Sequence, residues 1–255
     1  MKKQLSRFLF ILILSSCASK KDLLYFQDAE NSIPAKIEYA NNTLQPNDIL
    51  DVKIGALVPE TVIPYNNLVQ KSGQALQNNI ELIKLQGYLV GTDGYIVLPI
   101  LGPILVANKT IASVEKELIR ILEKDQHLIS PSVSVRLLNA KVTILGEVNR
   151  PGTYNFTEQF ISIPQALGYA GDLTIQGKRT DIILVREQDG TRTSSRIDLT
   201  TTNWMNNPEY RVMPNDVIVV NPNITKVKSS GFVGNASIVM SIVTTLLSIT
   251  VLLTR

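Results

Sequence analysis

The chain is poor in the residues from which most catalytic centres are built: one cysteine, one histidine and one tryptophan among 255 residues. A single cysteine, Cys17, excludes an intramolecular disulfide. With His127 as the only histidine, no zinc constellation can be assembled, and nothing supports a Ser-His-Asp triad. Glycine-rich phosphate cradles are missing as well. Charge of one sign is scarce. The formal net charge is +3, and Lys2, Lys3 and Arg7 fall in the first 16 residues, which hold no acid, so the remainder balances to zero and presents no basic patch for nucleic acid. The acidic pair Asp48 and Asp51 has the residue types of a glycosidase dyad. It sits beside a turn and the start of a strand, where solvated carboxylates are expected. His127 follows a charged helix end and is expected in solvent. Trp204 and Tyr210 are expected to pack a domain edge rather than to stack on a sugar. The reading is of a chain that is not an enzyme, with no catalytic residue, cofactor or metal.

Charge is also absent from the stretch Ala236 to Leu253, together with proline and glycine. Eighteen helical residues at ~1.5 Å rise cover ~27 Å, just short of a ~30 Å hydrocarbon core. At 100° per residue Ser237, Ser241, Thr244, Thr245 and Ser248 fall on one arc roughly 100° wide. A helix with an apolar back and a hydroxyl stripe suits a ring of identical helices around water. Small residues at such spacing also let two helices simply pack, and Ser or Thr can bond its own i−4 carbonyl, so three readings stay open on the segment alone: a membrane anchor, a pore-lining helix and a buried core helix.

The other end has the tripartite form of a secretory signal: the three cations, a seven-residue apolar run Phe8 to Leu14, then small residues. Leu14-Ser15-Ser16-Cys17 resembles the lipobox of bacterial lipoproteins. The resemblance implies cleavage before Cys17 and acylation of it, and Ala18 favours outer-membrane sorting. Several acyl chains anchor stably where one binds marginally.

Between these ends the chain alternates turn and strand signals. Ala18 to Asn42 is polar apart from Leu23-Leu24-Tyr25-Phe26 and reads as a tether with some contact surface. Gln45-Pro46-Asn47-Asp48 is a turn opening a strand at Ile49 to Ile54, and the device returns at Met213-Pro214-Asn215-Asp216 before Val217 to Val220. Val58 to Gln86 is an irregular excursion with some helix. Tyr88 to Val90 and Tyr95 to Leu98 flank Asp93-Gly94, a hairpin signal. Thr110 is the expected N-cap of an amphipathic helix, Ile111 to Lys124, whose apolar face is Ile111, Val114, Leu118, Ile121 and Leu122. Ser132 to Leu138 alternates as a strand. Val142 to Val148 and Pro151 to Tyr154 flank a turn, Pro164 opens a short helix that Gly171 closes, and Asp189-Gly190 joins two further strands before Val217 to Val220 ends the sheet.

Pro46 to Leu50, Gly87 to Gly102, the Thr110-led helix and Pro131 to Val135 resemble the polysaccharide biosynthesis/export domain of Wza-type outer-membrane exporters. Val142 to Val148, Pro151 to Tyr154 and Ile163 to Gly171 resemble the SLBB domain, a β-grasp-like module proposed to bind soluble ligands. The resemblance covers about Leu44 to Pro222, with room for one SLBB unit.

The expectation is an α+β fold of two small mixed α/β periplasmic modules plus a C-terminal transmembrane helix. Residues 1–16 form the signal peptide, 17–43 the lipidated tether, 44–138 the export domain, 139–222 the SLBB domain and 232–254 the transmembrane helix. The expected function is a channel for capsular or exopolysaccharide, a homo-oligomeric ring in the outer membrane lined by Ser237, Ser241, Thr244, Thr245 and Ser248. The resemblance implies an inner-membrane chain-length regulator, often a tyrosine autokinase, as partner. The alternative is a monomeric lipid-anchored carbohydrate-binding periplasmic module.

Overall fold

The computed structural model describes residues 23–31, 42–66, 80–124, 127–229 and 236–253. Two hydrophobic clusters organise the chain. In the first, β1 (Ile49–Gly55) lies between β2 (Tyr88–Leu89) and β5 (Ser132–Leu137), antiparallel to both. Alternation buries Leu50, Val52 and Ile54 on one face of β1. Helix α2 (Ile111–Lys124) covers that face with Val114, Leu118 and Leu122, all fully buried. Thr110 caps it as expected, Oγ1 accepting the Ser113 N–H at 3.2 Å. Glu115 on the same helix accepts the N–H of Val135, a donor on edge strand β5 (2.9 Å). Helix α1 (Ile80–Gln86) and a 3₁₀ segment, Pro59–Tyr65, occupy the described parts of the irregular excursion.

The expected hairpin around Asp93-Gly94 is corrected. The turn is real: Gly94 has φ +84° and the Gly91 N–H reaches the Tyr95 carbonyl at 2.9 Å. The strands that it joins pair elsewhere. β2 is taken by β1, through Ile49 opposite Leu89, and β3 (Tyr95–Leu98) pairs with β4 (Gly102–Leu105) around a second turn in which Ile100 and Gly102 both have positive φ.

The second cluster sits under a five-stranded sheet of order β10-β9-β12-β6-β7. Its strands are β6 (Lys141–Gly146), β7 (Gly152–Asn155), β9 (Gly177–Gln188), β10 (Thr191–Ile197) and β12 (Val217–Pro222). A small antiparallel pair, β8 (Ile161–Ser162) with β11 (Arg211–Val212), borders it. β9 and β10 meet at Asp189-Gly190, both with positive φ, the conformation that a two-residue hairpin of this twist needs. The last strand ends the sheet only in sequence. In space β12 is central, antiparallel to β9 and parallel to β6. Gly146 makes that parallel contact possible: at φ +89° any Cβ would collide with the Val220 carbonyl oxygen. Helix α3 (Ile163–Tyr169) opens with Ser162 in a capping box with Gln165 and is followed by Gly171 at φ +73°.

Helix α4 (Ile224–Ser229) follows β12, and α5 spans Ala236–Leu253. The transmembrane helix expected over 232–254 is not supported: among the described residues no helix is long and apolar enough to cross a membrane. The eighteen residues of α5 cover ~27 Å against a ~30 Å core. Met240, Ile242, Val243, Leu246, Ile249 and Leu252 on it are all exposed, which also excludes a core helix packed inside this protomer.

Candidate functional site

The two Pro-Asn-Asp turns are the same structure built twice. In the first, Pro46 and Asn47 (φ 72°) occupy the central positions, Asp48 N–H bonds the Gln45 carbonyl, and the Asp48 carboxylate accepts the Gln45 N–H at 2.9 Å. In the second, Asn215 has φ 69°, Asp216 N–H bonds the Met213 carbonyl, and the Asp216 carboxylate accepts the Met213 N–H at 2.8 Å. Positive φ after proline is the type II arrangement, which asparagine tolerates. The asparagine N–H of each turn donates to a neighbouring strand segment, Asn47 to the Val90 carbonyl and Asn215 to that of Lys141. The aspartate carbonyl of each accepts from it, from Val90 and from Thr143.

Both turns line one cleft between the two clusters, with a volume of about 1080 Å³. The hairpin tip of the second sheet reaches across it: Gln45 Nε2 donates to Asp189 Oδ1 (3.1 Å) and the Asp189 N–H to Gln45 Oε1 (3.3 Å). A further bond runs from Asn42 Nδ2 to the Gln159 carbonyl at 2.7 Å. Asn139 fastens the near wall, accepting the Ile49 N–H and donating to the Asn47 carbonyl, each at 2.9 Å. Lys141, Arg192, Glu158 and Phe160 complete a lining of amides, hydroxyl groups and scattered charge. Apolar side chains, Ile111, Val135 and Leu137 among them, share the lining, so the cleft offers hydrogen-bonding groups and apolar surface side by side. Among the described residues no group of three or more His, Cys, Asp or Glu is placed to hold a metal.

The aspartates differ in their surroundings. Asp216 meets Arg186, whose Nε and Nη2 donate to its two oxygens at 3.0 and 2.8 Å. Burial raises its pKa, and the guanidinium opposes that shift without cancelling it. Asp48, only 4% exposed, has no cation beside it among the described residues; burial pushes its carboxyl up to about 6 against one backbone N–H from Gln45. The expectation of a solvated Asp48 is corrected, because the turn that it closes feeds the middle strand of a sheet. Asp51 is part-exposed beside Lys53 at 3.0 Å. His127 is corrected too: Nδ1 lies 3.0 Å from the Tyr65 hydroxyl and the rings meet edge to face. Trp204 packs as expected, 5% exposed, bonded to the Thr201 carbonyl and flanked by Phe26 and Tyr210.

Cys17 lies outside the described residues, as does the side chain of Ser237. The rest of the stripe lies on α5, and Thr244, Thr245 and Ser248 turn their hydroxyls to the helix itself. Thr244 donates to Met240 and Ser241 carbonyls, Thr245 to Ser241 and Ser248 to Thr244, at 2.7–3.0 Å. Sequence reasoning missed the cleft, Asn139 and the docking of Asp189. The repeated Pro-Asn-Asp was the signal that pointed there.

Two family models fit this arrangement of modules. The polysaccharide biosynthesis/export protein model matches residues 38–138, and the SLBB domain model matches residues 141–194. An export module followed by an SLBB module defines the class. The chain belongs to the Wza-type polysaccharide export family. It is similar to the EPS I polysaccharide export outer membrane protein EpsA of Ralstonia solanacearum, 29% identical over 120 residues, which is 46% of this chain and 31% of that protein. The protein of the same name from Ralstonia nicotianae is 32% identical over 132 residues, 50% of this chain and 34% of the relative. The matched stretch thus spans about a third of the length of these curated relatives.

Proposed function

We propose that this protein is a transport component, not an enzyme: an outer-membrane lipoprotein, acylated at Cys17, that assembles into a ring for export of capsular or exopolysaccharide. Residues 44–138 and 139–222 form its two periplasmic modules, and the α5 helices of neighbouring copies close around a wet lumen. The observation that carries this reading is the order of parts: an export module, then an SLBB module, bracketed by a lipobox cysteine and a hydroxyl-striped helix. A ring offsets the shortness of α5, since the bacterial outer membrane is thinner than average and mismatch costs only fractions of a kcal/mol per Å. Internally bonded hydroxyls support the reading as well. Their protons are satisfied within the helix, as an apolar setting demands, while the oxygens keep lone pairs for the hydroxyls of a passing glycan, without fixed charge. An inner-membrane chain-length regulator, in this family often a tyrosine autokinase, is the expected partner.

The test is replacement of Ser241 and Thr244 together by leucine. Export is expected to fail while outer-membrane fractionation persists; undiminished export refutes the lumen. The polar cleft favours a second reading, a monomeric lipid-anchored carbohydrate-binding module. Sizing in mild detergent separates the two, because a multi-subunit ring excludes the monomer.

A further inference from the structure

The segment before the export module is fastened to the SLBB module. Phe26 N–H donates to the Leu199 carbonyl (3.1 Å) and Gln27 N–H to that of Thr200 (2.8 Å). The Phe26 ring lies 6.2 Å from Trp204. Tyr25 donates its hydroxyl to Asp172 Oδ1 at 2.6 Å, and the Arg179 guanidinium lies 5.2 Å from its ring. Cys17 precedes Tyr25 by eight residues, so an acylated Cys17 lies within ~28 Å of this clip at full extension.

The other membrane-directed end departs from the same loop. Asn223 N–H bonds the Gln176 carbonyl at 2.7 Å and its side chain that of Ile175 at 3.3 Å, after which α4 begins. From Ser229 at its end, seven residues lead to Ala236 of α5, a reach of ~25 Å at most. The loop 172–179 is thus held by the acyl-bearing segment on one side and by the root of the terminal helix on the other.

That edge is apolar where it faces outward. Ile175 is 72% exposed, Ile224 70% and Val227 59%. Lys178 and Lys226 rim them, held toward Asp181 and Glu147. Exposed aliphatics also occur on the export module, Leu57 among them. What distinguishes Ile175, Ile224 and Val227 is that both anchors depart beside them. Aliphatics in the middle and lysines at the rim match a bilayer interface, where apolar groups enter the headgroup boundary and lysines stay wet.

We infer that the SLBB module rests on the phospholipid surface through Ile175, Ile224 and Val227. This inference rests on the reading of Cys17 and α5 as membrane anchors. The edge is a third contact, which fixes the tilt of the module where two tethers alone would leave it free to swing.

The experiment uses the full-length acylated chain. Its native cysteine is blocked by acylation, so Ile175→Cys or Leu57→Cys carries a polarity-sensitive fluorophore at one site. Each is reconstituted into vesicles of phosphatidylethanolamine and phosphatidylglycerol containing doxyl-labelled lipid, and flotation is scored alongside. The probe at 175 is expected to shift to the blue and to lose at least half its emission to the quencher, while the probe at 57 does neither. Three results overturn the inference. Protein that floats with an unquenched probe at 175 leaves the anchors standing and removes the contact. A blue shift at 175 without lipid quenching means that a second copy covers the edge. Protein that does not float removes the anchors and the contact together.

Discussion

The two Pro-Asn-Asp turns allow one substitution to be tried twice with opposite expected signs. Asp48 is buried without a cation, and its folded pKa of about 6 stands roughly two units above the ordinary ~3.9 of an unfolded aspartate. At ~1.36 kcal/mol per unit, the folded state at neutral pH carries a penalty of about 3 kcal/mol. The sign comes from proton counts. Between about pH 4 and 6 the unfolded chain has released this proton and the folded chain retains it, so stability falls as pH rises through that window and is level above it. Asparagine keeps an oxygen for the Gln45 N–H and loses the charge. Asp48→Asn is therefore expected to stabilise the protein by about 1–3 kcal/mol at pH 7, a gain that vanishes near pH 4. Asp216→Asn makes the same change in the same turn, but strands the Arg186 guanidinium, whose side chain is 12% exposed, and is expected to cost about 3–5 kcal/mol. Urea unfolding of the detergent-solubilised chain, followed by far-UV circular dichroism from pH 4 to 8, measures both. If the two variants move in the same direction at pH 7, the contrast between a bare and a paired carboxylate is wrong.

Three more substitutions probe the packing of the two modules. Gly146→Ala places a methyl against the Val220 carbonyl at a backbone angle foreign to alanine, and is expected to cost more than ~3 kcal/mol or to abolish folding. Gly168→Ala, on an open helix face, should instead add about 0.5–1 kcal/mol, and thermal melts compare them. Tyr65→Phe removes the hydroxyl facing His127 and keeps the ring contact, with an expected loss of about 1 kcal/mol in the same unfolding assay. An unchanged midpoint would mean that the bond contributes nothing.

Where one element decides its own structure, the sequence was enough. The helix at Ile111–Lys124 has its cap, its period and its apolar face in contiguous residues, and folds as read. The Asp189-Gly190 hairpin is likewise local. Legibility stops where a partner lies far along the chain. Asp93-Gly94 turns as its residues demand, yet the choice of β1 as the partner of β2 is made by Ile49 and Leu50, some forty residues upstream. His127 reads as solvent-facing until Tyr65, 62 residues earlier, is brought against it. The cleft was indicated by the repeated motif but not located by it, since its walls come from six separate stretches of chain.

The reason for the repetition lies in the strand that each turn introduces. β1 and β12 are the central strands of their sheets, paired on both sides, so the turn leading into each is crowded and its backbone donors must be satisfied without water. An aspartate that folds back onto the N–H three residues earlier does this with a single side chain, and proline removes one further donor from the problem. In the SLBB module the charge so introduced is answered by Arg186, and the turn is complete as a structural device. In the export module it is left unanswered at the edge of a polar cleft. Local costs that a fold leaves uncompensated tend to mark the places where it does something else. For Asp48 that cost is the buried charge itself, which is why its replacement by asparagine is expected to stabilise the fold where that of Asp216 is not.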